Sequence, residues 1–338
     1  MRRLTLILSD VYLPDESDSP DAAAWRTEAL PMPNLEWLLR FASARHVIAD
    51  WRAWLVSALG LDQLRDVPPA QVAARGPLAG GLAAQAWFAT PVAFELHINH
   101  VRLNPRGLLR VDPDEGARWC EAFARDFGTD YALHYAGARG FLLTGLHSAG
   151  GPAVDPARLL GADITPGLRR SGELIRLELA RAATEFEFWL HAAPLNAARE
   201  AARRARISSL WLWGGGLPAD GVRGSPPARV PVVMGEDLFL GGVARELGAD
   251  ASRAPVSFDA MPPGVDDAIV EIMPMSGPPD ELLATLETRW FAPLRAALAR
   301  GALDELELLA NDRVWRIEPR GGWKFWRRRQ GWLAALKA

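Results

Sequence analysis

The chain has 338 residues, 49% hydrophobic and 23% charged, with a net charge of −3 at pH 7. That length fits one large domain carrying an insertion, or two domains, and the composition is that of a folded globular protein. The balanced charge gives no field that selects nucleic acid or an anionic membrane, and the single cysteine, Cys120, excludes an intrachain disulfide and a thiolate metal cluster.

One cysteine suits a reducing compartment, so a cytoplasmic location is expected. The opening apolar run ends at Ser9-Asp10, too short for a signal peptide or a membrane span, and is expected to be a buried first strand over 4–8. Residues 14–33 have loop composition. Asn34 is placed to cap a helix with Leu35, Leu38, Leu39 and Phe41 on one face. A second helix is predicted over 50–60, closed by Gly60, and the Pro, Gly and Ala of 67–85 lead to a domain boundary near 86.

Residues 94–103 alternate as a strand, 104–107 are turn chemistry, and 108–111 return as a strand. Residues 113–127 have helical spacing, with Trp119, Phe123 and Phe127 on one face. Strands are expected over 131–135 and 140–143. A long helix over 172–191 ends at Pro194. The run SLWLWGGG (209–216) is a buried strand stopped by glycines. A strand over 230–234 feeds a helix that Gly248 closes, and the two strands are expected to share an α/β sheet. A strand over 268–272, an amphipathic helix over 280–300 and a strand pair at 306–309 and 314–317 complete the order.

Chemistry-bearing residues are sparse. On one continuous strand, His97 and His100 point to opposite faces and do not share a metal. His134 and His147 suit sheet or loop positions, and Glu185 and Glu187 diverge on their helix. The preferred reading of Gly214-Gly215-Gly216 is a tight turn needing positive φ; an anion held on its amides is the alternative. Arg199 suits a phosphate or carboxylate, or ties down a loop. In the C-terminal tail, Trp323, Lys324, Trp326, Arg327 and Arg328 either dock tryptophans on the core or meet a membrane surface or acidic partner.

PLNAARE…ISSLWLWGGG (194–216), VVMGEDLFLGGVARELGA (232–249), MPNLEWLLRFAS (32–43) and ATPVAFELHINHVRL (89–103) resemble, in order, stretches of the archaeal-type cofactor-independent phosphoglycerate mutases of the alkaline phosphatase superfamily. LSDVYLP (8–14), WFAPLRAAL (290–298) and WKFWRR (323–328) are similar to a divergent branch, the bacterial regulatory proteins of the RpfE type. The resemblance implies an α/β fold, an alkaline phosphatase-like three-layer sandwich. It places a core domain at 1–85 and 171–338, with a small α+β unit inserted at 86–170.

Catalytic members of that superfamily hold two metals on Asp and His ligands and phosphorylate a Ser or Thr. Against their pattern, only Asp10 stands at a ligand position, and Trp51 stands near the nucleophile's place. The histidine-rich metal run becomes EIMPMSG (271–277), and no histidine follows His191. The resemblance therefore implies a non-catalytic regulatory or binding protein without cofactor or metal, of bacterial type. Its partner would be a small anionic ligand or a regulatory protein, not nucleic acid. The candidate ligand-binding residues are Asp10, Asn196, Arg199, Gly214, Gly216 and Asp237; the candidate surface-binding ones are Trp323, Lys324, Trp326, Arg327 and Arg328. The alternative is a metal-dependent phosphotransferase or phosphohydrolase with a remodelled site.

Overall fold

A computed structural model describes residues 1–9, 30–46, 50–76, 85–104, 108–148, 154–165, 177–216, 229–273, 279–310, 313–319 and 331–332. In chain order the elements begin with β1 (Arg3–Leu8), α1 (Pro33–Phe41), β2 (Ser43–His46), α2 (Trp51–Ala58) and α3 (Pro69–Ala74). Then come β3 (Ala86–Val92), β4 (Phe94–Leu96), β5 (Val101–Leu103), α4 (Pro113–Phe127), β6 (Ala132–Tyr135) and β7 (Phe141–Thr144). Next are α5 (Leu177–Ala192), α6 (Pro194–Ala201), β8 (Ser209–Trp213), β9 (Val232–Met234), α7 (Leu238–Glu246) and β10 (Asp267–Ile272). The last are α8 (Pro279–Leu286), a π-helical turn (Glu287–Phe291), α9 (Ala292–Ala299), β11 (Glu305–Ala310) and β12 (Arg313–Ile317).

By contacts the chain forms two units, one of residues 1–61, 225–236 and 247–338, the other of 62–224 and 237–246. The second unit takes in β8, which pairs with β3.

The first unit carries a six-stranded mixed sheet in the order β2-β12-β11-β1-β10-β9. Its centre is parallel: β1 lies between β10 and β11, and β9 flanks β10. β12 and β2 add an antiparallel edge. Period-2 alternation sends Leu4, Leu6 and Leu8 to one face, where they join Ala268, Val270, Leu306, Leu308 and the helical residues Leu38, Leu286, Phe291, Leu294 and Leu298. Ile7, Val233, Ile269 and Leu309 are buried on the other face beside the buried polar Thr5, Glu271 and Glu307, so the central strands are covered on both faces.

Asn34 is not the cap that its sequence position suggests. The helix starts at Pro33, two residues before the start an Asn34 cap implies, and its N-terminus is served from outside by Glu287 on the π-helical turn. That buried carboxylate accepts from the Asn34 amide (2.6 Å), Asn34 Nδ2 (2.8 Å) and the Leu35 amide (3.2 Å). A carboxylate among the free N–H groups of a first turn is favoured by charge as well as by hydrogen bonding. The wider π turn interrupts the helix predicted over 280–300 at the point where Glu287 makes these bonds.

The second unit carries a four-stranded antiparallel sheet, β6-β7-β3-β8, and the separate hairpin β4-β5. α4 and α5 supply the aromatic core against this sheet, with Trp119, Phe123 and Phe186 fully buried beside Trp87, Leu143 and Leu212. The expectation that SLWLWGGG shares a sheet with the strand before Asp237 is overturned: β8 lies in the antiparallel sheet and β9 in the mixed one. Residues 108–111 form no strand. The strand predicted over 94–103 is broken at 97–100 into a hairpin.

Just past α6, Arg203 lies in the left-handed region (φ 55°), while its amide bonds back to Glu200 O and that of Arg204 to Arg199 O. This is a helix C-cap geometry that glycine adopts without a Cβ penalty. Arg203→Gly is therefore expected to stabilise the protein by about 1 kcal/mol. Urea unfolding checks this, and a lower midpoint for the variant would contradict it.

Candidate functional site

The candidate residues Asn196 and Arg199 both lie on α6 and are buried. Asn196 Nδ2 donates to Leu190 O (2.8 Å) and Ile207 O (2.9 Å), and its Oδ1 accepts from the Ile207 amide (2.8 Å). One amide side chain thus ties the end of α5 to the lead-in of β8. Arg199 donates from Nη1 to Glu115 Oε1 and from Nε to Ala205 O (2.7 Å). Burial pulls this guanidinium below its ordinary pKa, against the opposing pull of Glu115. Arg204 Nη2 approaches the other Glu115 oxygen at 2.7 Å. The arginine suited to a phosphate serves here an internal carboxylate on α4.

Gly214 has φ +64° and ends β8. Its carbonyl accepts from the Ala70 amide (2.8 Å), and the Gly216 carbonyl accepts from Gln71 Nε2 (2.7 Å). A Cβ on Gly215 would lie 2.3 Å from the Trp87 ring. The glycines let the turn press on Trp87 and meet the first turn of α3. Asp237 pairs with Arg139 (2.6 Å) and accepts from the Phe239 amide (2.9 Å), while Arg139 also reaches Asp155 at 3.2 Å. The structure thus brings Gly214 and Gly216 together on α3, Asn196 and Arg199 together on α6, and Asp237 to Arg139. Asp10 and the tail residues Trp323, Lys324, Trp326, Arg327 and Arg328 lie outside the described residues. Trp332, further along the tail, is buried, with its Nε1 donating to Leu30 O at 3.1 Å.

In the first unit, the C-terminal ends of the parallel strands form the edge where open α/β sheets bind ligands. Glu271, near the end of β10, is 1% exposed. Its Oε1 accepts from Ser9 Oγ, just past β1, and its Oε2 accepts from the Glu236 amide, just past β9 (2.9 Å). Parallel pairing sets Ile7 beside Glu271 and Val270 beside Met234, which brings all three strand ends to one place. Sequence reasoning missed Ser9 and Glu236. Their only signal is their position at strand ends, legible once β9, β10 and β1 are known to be neighbours.

Trp51 opens α2, buried, with the Arg52 guanidinium 4.5 Å from its ring centroid. Asp50 caps this helix through the Ala53 amide (3.0 Å) and lies 3.6 Å from Arg52. Among the described residues, no group of three or more His, Cys, Asp or Glu is placed to hold a metal, and no helix is long and apolar enough to cross a membrane.

His134 and Glu187 are also shifted in acidity. His134, half-buried and 3.1 Å from Thr144 Oγ1, is pushed down by burial. Glu187 on α5 is pushed up by burial, against a hydrogen bond donated by Ser209. A carboxyl raised in the folded state adds stability that is complete below its unfolded pKa and lost as pH rises through the folded value. Glu187→Gln is expected to be more stable than the parent at pH 7, the difference closing as pH falls through about 4. Urea midpoints across pH test this, and a pH-independent difference would contradict it.

No protein-family model and no curated protein sequence matches the chain. Among solved structures, it is similar to the cofactor-independent phosphoglycerate mutase of Thermoplasma acidophilum DSM 1728, at 19% identity and a TM-score of 0.34, over 94% of this chain and 89% of that one. It is also similar to the PH0037 protein of Pyrococcus horikoshii, at 14% identity and a TM-score of 0.43, over 94% of this chain and 87% of that one. At these scores neither likeness bears on chemistry, and the α/β architecture stands on the chain's own sheets.

Proposed function

We propose that the chain is a non-catalytic relative of the cofactor-independent phosphoglycerate mutases, a regulatory or binding protein of the RpfE type that works without a two-metal site. The observation that carries this reading is Glu271. The resemblance puts a metal-binding run here, and two-metal catalysis needs convergent ligands to clamp the attacking and leaving oxygens. Instead both Glu271 oxygens hold neighbouring strand ends through Ser9 and the Glu236 amide. Trp51, buried near the expected nucleophile position, offers an indole, which cannot accept a phosphoryl group.

On this reading the sheet edge is a fixed scaffold, and the partner is a small anionic ligand or a regulatory protein. The test is interconversion of 2- and 3-phosphoglycerate with added manganese. The expected result is a rate equal to that of the Glu271→Gln variant and of buffer. Turnover that Glu271→Gln abolishes would overturn the reading in favour of a remodelled phosphotransferase.

A further inference from the structure

We propose that the tip of the β4-β5 hairpin is a two-imidazole site for a borderline divalent ion of the copper, nickel or zinc class, formed by His97 and His100. On a continuous strand the two imidazoles point to opposite faces, but the chain turns here instead. The His97 amide donates to His100 O at 2.9 Å and closes a four-residue turn between the paired ends Leu96 and Val101. First and fourth residues of a turn lie side by side, so the two rings stack with centroids 4.4 Å apart and planes 14° from parallel.

A metal with Zn–N distances of about 2.0–2.1 Å needs donor nitrogens within about 4 Å of each other. Rings already this close meet that condition by tilting their donor edges together, with no change in the turn. The turn holds the two imidazoles near each other before binding, which lowers the ordering cost of chelation. His97 and Ile98 are exposed and His100 is half-buried, so water can complete the coordination shell.

The charged neighbours are Glu95 and Arg102, paired across the hairpin, and Asp163, whose carboxyl is lowered chiefly by hydrogen bonds from Thr165, with His100 and Arg102 adding to it. Asp163 favours a cation at this tip, and Arg102 opposes it.

The test is isothermal titration of the tag-free full chain with Cu2+, Ni2+, Zn2+ and Mg2+, beside His97→Ala, His100→Ala and the double variant. Copper is expected to bind most tightly and magnesium not at all. Each single variant should weaken copper binding by about tenfold or more. Copper spectra should show two nitrogen ligands lost in the double variant. Circular dichroism checks that the exposed substitutions leave the fold intact. Equal copper affinity in parent and double variant would overturn the proposal, as would a single variant that binds like the parent. A positive result leaves the reading of Glu271 untouched, because the hairpin belongs to the other unit.

Discussion

Arg139→Met is expected to destabilise the protein by about 3–5 kcal/mol, the cost of leaving buried carboxylates without their cation. Arg139 reaches two aspartates at once, Asp237 at 2.6 Å and Asp155 at 3.2 Å, each with only 2% of its side chain exposed. Both aspartates also begin helical segments, accepting from the Phe239 amide (2.9 Å) and the Ala157 amide (3.0 Å). The guanidinium therefore fixes two chain turns through one planar fork. Arg139→Lys should recover only part of the loss, since an ammonium is a single point charge without that fork. Urea unfolding followed by tryptophan fluorescence gives the answer. A loss below about 1 kcal/mol for Arg139→Met would mean that the triad is as weak as an exposed ion pair.

Gly242→Ala is expected to cost about 3 kcal/mol or more, at the upper end of overpacking effects. A Cβ at Gly242 would lie 1.9 Å from Val72 O and 2.6 Å from Val72 C. These are backbone atoms of α3 and cannot rotate away. Alanine improves intrinsic helix propensity by about 1 kcal/mol, so the net sign tests which effect wins. α3 and α7 are further joined by Arg75 and Glu246 at 3.0 Å, which resists the separation that would relieve the clash. An unchanged or raised midpoint would show that the two helices part freely.

Much of the fold was legible because its strands and helices obey simple periodicities. The helix over 113–127 is found at its predicted ends, with Asp112 capping it through the Glu115 amide (2.8 Å). The strands ending at Leu8, Ile272 and Ile317 fall where apolar runs predict them. What failed is partnership. β8 is buried on both faces, Leu210 and Leu212 toward one cluster and Trp213 toward Phe88, whose rings stack 4.6 Å apart. A strand buried on both faces reads alike in parallel and antiparallel sheets.

The hairpin at 97–100 was missed because HINH carries no glycine or proline, and α3 because its alanines resemble loop filler. At the site, residue type was legible and use was not. Arg199 suits a phosphate or carboxylate, or a loop tie, on its sequence, and the carboxylate it meets is Glu115, 84 positions away. No local pattern announces such a pairing. The Ser9–Glu271 contact spans 262 positions and needed the sheet order to be seen.

The central claim is that the sheet edge around Glu271 is held by hydrogen bonds in place of metals. Metal stoichiometry by elemental mass spectrometry tests it most directly. The sample should be tag-free protein carrying His97→Ala and His100→Ala, purified with manganese and zinc present and then dialysed against buffer. The account predicts well under one ion per chain. Two tightly held ions per chain, lost together in Glu271→Gln, would contradict it.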